Sequence, residues 1–299
     1  MKRSFLARLQ RTALASLAGA LLLLPGVPIL QLLVLGPQGY GVALGTPQTS
    51  MFWIQGHLSL FLLYRVTLIL GFALLLGMPF ALFRIIIAQE IVGRAELAEE
   101  EENDEEAEEA DDEEDEDTED ADDAAEADNL NGMPAFAWRG KGFAVIAVWA
   151  GLLGLICIAS GTLVSTIYLW SSASIASART PLPDNFASVS SLFAILTYTV
   201  GGGLLTIFCI FSGFVIARSG RRLWPDSWVA FAYAGLAIGA IFSGSAVQVA
   251  LAPTGSQATL TTPAILFFAA WSLWFSIMVV RLKAEYSAAE ASQAGSKRD

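Results

Sequence analysis

Arg65 is the only charge whose neighbours are apolar enough to carry it into a bilayer, and an arginine at the centre of a spanning helix costs roughly 2.5 to 3.5 kcal/mol on insertion scales. Two chemistries can retain such a residue. It can hold an anion or a lipid phosphate, or it can snorkel to an interface with only its aliphatic stem in lipid. The spacing favours snorkelling. Val66 to Phe83 is an 18-residue run bracketed by Arg65 and Arg84, and ~1.5 Å per residue makes it about 27 Å long. That length nearly matches a hydrocarbon core, so the two arginines are expected at opposite interfaces. The apolar residues from Met51 to Tyr64 would then lie at or above the outer interface, with a partner as one way to cover them.

The second candidate site is polar and uncharged. Thr197, Tyr198 and Thr199 run into Gly201, Gly202 and Gly203, and each glycine costs roughly 1 kcal/mol of helix propensity relative to alanine. Local unwinding there would present carbonyls to a small solute, with Gln248 supplied from another apolar segment. The competing reading, which the sequence favours, makes the three glycines the contact surface of a tight helix crossing.

Other chemistries lack their residues. No Asp or Glu falls inside an apolar run, which removes the usual carboxylate relay of ion-coupled carriers. His57 is the sole histidine, so a paired-imidazole metal or haem site is excluded and a structural role is expected. Cys157 and Cys209 each sit in an apolar run, where they read as packing residues and not as a disulfide framework. The signatures G-x-S-x-G, H-E-x-x-H and G-x-x-x-x-G-K are missing from the sequence, so no enzyme of those types is expected. No cofactor, metal or nucleic-acid partner is expected either.

The elements that must position these residues are membrane spans. Hydrophobic residues make up 55% of the 299, the mean hydropathy is +0.56, and apolar runs extend over about 12–36, 58–87, 143–169, 192–217, 228–251 and 263–280. Most exceed the ~20 residues that a spanning helix needs. Fifteen of the 17 basic residues flank one side of this series, leaving Arg65 and Arg179. That bias predicts both termini in the cytoplasm of a multi-pass protein of the plasma (inner) membrane. The first run, with its basic start and Pro25-Gly26, also fits a cleaved secretory signal. Because apolar residues resume from Val27 to Leu35, a span kinked at Pro25 and Pro28 is the preferred reading. Asp184, Asp226 or Ser227, and Thr262 before Pro263 are the expected caps of the last three helices.

Small residues mark the packing faces. Gly235 and Gly239 form a G-x-x-x-G face that Ser243 extends, and Gly151 and Gly154 give the third run a comparable one. In lipid such faces let helices approach closely. They are expected to pack within one protomer, with a homo-oligomer or a membrane-protein partner as the sharper alternative.

The net charge of −12 is unevenly distributed, for 23 of the 29 acidic residues lie between Glu96 and Asp128. Mutual repulsion and the lack of apolar residues predict a disordered loop. The expected organisation is therefore an all-α bundle of six spans in three hairpins. A first hairpin with a cytoplasmic extension occupies 1–95, the acidic cytoplasmic loop 96–130, a four-span region 131–283 and a cytoplasmic tail 284–299. The function read from it is a non-enzymatic scaffold or accessory subunit that recruits a basic cytoplasmic partner through the acidic loop. The alternative is a small-solute permease or channel at the glycine run. The topology is checked in a background lacking Cys157 and Cys209: Gln257→Cys reacts with an impermeant thiol reagent outside intact cells and Asn129→Cys does not. Labelling of Asn129→Cys would reverse the orientation.

Overall fold

With no water to satisfy them, backbone groups in lipid must bond to one another, and the apolar runs do so as helices. The computed structural model describes residues 3–43, 45–89, 135–175, 182–253 and 260–296. Among these there is no strand, and six helices are long and apolar enough to cross a membrane: Ala7–Leu35, Leu58–Gln89, Gly142–Ile175, Phe186–Arg221, Asp226–Leu251 and Thr261–Arg281. The chain is thus an all-α, multi-pass integral membrane protein. The acidic loop expected at 96–130 lies outside the described residues.

Each span packs against its neighbours in sequence, and the sixth returns to pack along the first. The three hairpins therefore close into a ring. Its centre is filled by side chains: Phe208, Phe231, Phe268, Trp271 and Phe275 are all essentially inaccessible. Phe231 stacks on Trp271 with centroids 4.5 Å apart, and the Trp271 indole N–H donates to the Phe231 carbonyl at 2.9 Å. That bond removes the one polar liability of a large buried ring. Phe208 meets Trp271 edge-on, joining the fourth span to the sixth across the middle.

The helices approach as closely as their glycines permit. A methyl group at Gly19 would lie 2.7 Å from the Gly71 carbonyl, one at Gly154 3.0 Å from the Gly201 carbonyl, and one at Gly213 2.6 Å from the Ala232 carbonyl. These are backbone-to-backbone crossings of the first span with the second, the third with the fourth and the fourth with the fifth. Gly235 and Gly239 face the fourth span at Cys209 and Thr206, and Gly235 also faces Trp271. Gly151 seats Phe208 and Pro79. Ser243, on the same helix as Gly235, is exposed.

Departures from α geometry occur where the sequence demands them. The first span carries π turns at Leu22–Gly26 and Leu30–Leu35. Pro25 lies inside the first of these, and the Val27 N–H reaches the Leu22 carbonyl. A proline cannot donate within the ladder, and the wider turn absorbs the missing bond. Gly220, at φ 58°, turns the fourth span toward the fifth in a conformation that side chains with a Cβ disfavour. The helix ends differ from the expected caps. Asn185 stands at the start of the fourth span and Pro225 before the fifth, neither with a side-chain cap. Asp226 instead pairs with Arg221 at 2.8 Å across the intervening turn.

Two substitutions separate contact glycines from idle ones. Gly213→Ala forces a methyl against backbone and should lower stability by about 1 to 3 kcal/mol, whereas Gly203→Ala, with nothing within 4 Å of the added methyl, should be neutral or stabilising by up to ~1 kcal/mol. Melting of the detergent-purified variants measures both; equal effects would contradict the crossing.

Candidate functional site

Away from the arginine-rich end of the ring, a short helix folds over the spans. Pro47–Gly56 begins with a reciprocal cap in which the Thr46 hydroxyl accepts from the Thr49 N–H and Thr49 returns the bond. His57 breaks it from the second span at φ −130°, ψ 36°. Its Nδ1 lies 3.1 Å from the Trp53 carbonyl and its ring stacks on Trp53. The lone histidine is thus placed at a helix junction. Met51, Trp53 and Ile54 bury themselves in a cluster with Leu35, Phe61, Ala173 and Phe186. Part of the apolar surplus ahead of Arg65, namely Met51, Trp53, Ile54 and Phe61, is thus covered by this chain's own residues, while Phe52 and Leu63 stay exposed.

Next to this cluster, which Tyr168 and Leu169 also join, lies a cavity of about 140 Å³, bounded by Arg65 of the second span, Ser165, Tyr168 and Leu169 of the third, and Ser190, Phe193, Ala194, Thr197 and Tyr198 of the fourth. Arg65 is half-buried and its guanidinium lies 5.3 Å from the centre of the Phe61 ring, which favours a cation. Its Nε is buried and without a hydrogen-bond partner among the described residues, and so is the Ser190 hydroxyl. Neighbouring polar groups are committed. The Ser165 hydroxyl donates to the Thr162 carbonyl at 2.9 Å, and Gln31 donates to the Tyr64 hydroxyl at 2.8 Å, tying the first span to the second. Tyr40, in the connection between those spans, packs on Trp53 and Tyr64. Burial holds its phenol above the ordinary range, the Arg65 charge pulling it back down and Tyr198 adding to the rise. At neutral pH it is an uncharged donor.

The sequence-derived residues divide. Arg65, Thr197 and Tyr198 come together at the cavity. Gly201, Gly202 and Gly203 lie one turn further along, in regular α-helix that follows a π turn at Ile195–Val200. Gly201 is pressed against Ile158 and Gly154, a methyl at Gly202 would touch Phe242 and Ala246 at ordinary distances, and Gly203 has open space beside it. Gln248 does not line the cavity; its Oε1 accepts from the Leu260 N–H and so ties the start of the sixth span to the fifth. Gly161 seats the Thr197 hydroxyl directly against the third span.

Ser165, Tyr168 and Ser190 were not singled out by sequence reasoning. A signal exists: Ser165 and Tyr168 are three apart, and Ser190, Thr197 and Tyr198 follow the i, i+7, i+8 spacing of one helical face. That periodicity does not say which face turns inward. Among the described residues no group of His, Cys, Asp or Glu is placed to hold a metal ion. The lining offers one fixed positive charge and several hydroxyls, a set suited to holding a polar or anionic group.

Comparison with family models, with curated proteins and with solved structures finds no match to this chain.

The polar tie beside the cavity is measurable. Tyr64→Phe removes the acceptor of Gln31 and leaves its amide half-buried, and should cost about 0.5 to 1.5 kcal/mol of stability. An unchanged melting temperature in detergent would show that the amide finds water instead.

Proposed function

We propose that this integral membrane protein is a non-enzymatic scaffold or accessory subunit of a membrane complex. It would lie in the plasma (inner) membrane with both termini in the cytoplasm, and recruit a basic cytoplasmic partner through the acidic stretch 96–128. The observation that carries this reading is the filled interior. Between the cavity and the arginine-rich end the ring is occupied by Leu155, Leu205, Phe208, Phe231 and Trp271, each buried. Such packing suits a body that presents surfaces more than one that passes solutes. The absence of acidic residues from the apolar runs supports it as well. So does the charge distribution, which places the polyanion on the side where basic residues concentrate.

A small-solute permease is the second reading, favoured by the cavity reaching Thr197 and Tyr198 within a π turn, since such turns recur at functional sites. It requires Phe208 and its neighbours to move.

Deleting Glu99 to Asp123 tests the first reading. Insertion and melting should be unchanged, while co-purification of basic partners should fall and lose most of its salt dependence, because exposed charges are screened over roughly 8 to 10 Å at physiological salt. Partner binding that is unchanged, with the same response to salt, would contradict the recruiting role. Solute flux through proteoliposomes that a normally folded Gly202→Ala variant selectively abolishes would move the assignment to the permease.

A further inference from the structure

We infer that the cavity between the second, third and fourth spans is a binding site for a phosphate-type oxyanion, held by Arg65 and Ser190 and supplied either by a lipid headgroup or by free phosphate. This goes beyond the scaffold reading and does not depend on it.

Two buried polar atoms, Arg65 Nε and Ser190 Oγ, lack a partner among the described residues, and both residues line the same cavity. They come from different spans, the second and the fourth, so local helix geometry does not account for the coincidence. A buried donor left unmade is costly, and most so when it is charged. The cavity is many times the ~10 to 15 Å³ that one water requires in this measure, so a polyatomic group fits where one water would leave donors unmet.

The charge is positive and uncompensated locally. Arg65 is the only ionisable residue of the lining apart from Tyr168 and Tyr198, and no described carboxylate pairs with it, the described ion pair being Arg221 with Asp226 at the other end. A guanidinium presents a planar fork of donors that matches two oxygens of one phosphate, with Ser190 and the tyrosine hydroxyls available to the others. A halide would use one direction only. The depth also fits. Arg65 is 19 positions from Arg84 within one span, about 28 Å at 1.5 Å per residue, so the site lies at the edge of the hydrocarbon core, within side-chain reach of the headgroups, when Arg84 lies at the opposite edge.

The test uses the full chain in detergent, with melting followed by tryptophan emission. The probes are inorganic phosphate, short-chain phosphatidic acid and phosphatidylglycerol below their micellar concentrations, and chloride at matched ionic strength. At least one phosphate probe should raise the melting temperature saturably above chloride; response to the lipids alone identifies a headgroup, and response to inorganic phosphate identifies the free anion. Arg65→Gln should weaken the apparent affinity at least tenfold, Ser190→Ala severalfold, and Arg84→Gln not at all. Without added probe, Arg65→Gln should melt no lower than the unmodified chain, because a guanidinium awaiting a ligand contributes little to the empty fold. The proposal is overturned if no phosphate probe exceeds chloride, if Arg65→Gln responds as the unmodified chain does, or if the empty variant melts far lower, which marks Arg65 as structural. Should Arg65→Gln fail to fold, Ser190→Ala decides: reduced affinity supports the site, and unchanged affinity overturns it.

Discussion

Lipid gives helices little hydrophobic reason to associate, so this bundle depends on how closely its backbones approach. Three crossings set that distance, at Gly19 on Gly71, Gly154 on Gly201 and Gly213 on the Ala232 carbonyl. Close approach there brings larger side chains on either side into register. Phe208 then reaches Trp271, and Trp271 lies flat on Phe231. Dispersion accumulated over many such atom pairs, each worth only ~0.1 to 0.2 kcal/mol, replaces the hydrophobic effect of a soluble core.

The same crossings explain why a cavity survives at one end. Glycines hold the third and fourth spans together at 154 and 201, and Gly161 locks Thr197 against the third span. Thr197 itself lies in the π turn at Ile195–Val200, where the fourth span widens, and there the lining combines hydroxyl-bearing residues with Phe193, Leu169 and Ala194. The Pro47–Gly56 helix roofs this end with Met51, Trp53 and Ile54. Tight packing in the middle and a polar recess at this end are thus two consequences of one residue pattern.

The six spans were legible because an apolar run of bilayer length has few alternative meanings. The helices extend past the runs, as in Phe186–Arg221 against an apolar core read from Leu192, because a helix continues into polar residues once it leaves the hydrocarbon. Arg65, Thr197 and Tyr198 were legible as unusual residues, and the fold brings them together. Their meeting was not, since it depends on which helix faces turn inward and on the third span lying between the second and the fourth. The roof was illegible for a related reason. Pro47–Gly56 is too short for an amphipathic pattern to stand out, and its cap is a threonine pair, Thr46 with Thr49, where the usual signature has an acidic or amide partner. Closure of the ring by the sixth span on the first leaves no mark in local sequence at all.

The central claim is that Gly201 and Gly202 form a dry helix contact, with the candidate polar site in the recess beside it. A methyl at Gly202 would stand 4.0 Å from the Ala246 Cβ, within the ~3.5 to 4.5 Å between Cβ atoms that a disulfide spans. The direct measurement is oxidation of the Gly202→Cys, Ala246→Cys pair in a chain lacking Cys157 and Cys209, beside aqueous thiol labelling of Gly202→Cys alone. The account predicts near-complete cross-linking of the fourth span to the fifth and negligible labelling of the single variant; rapid labelling without a cross-link would mean that water lines the glycines and would contradict it.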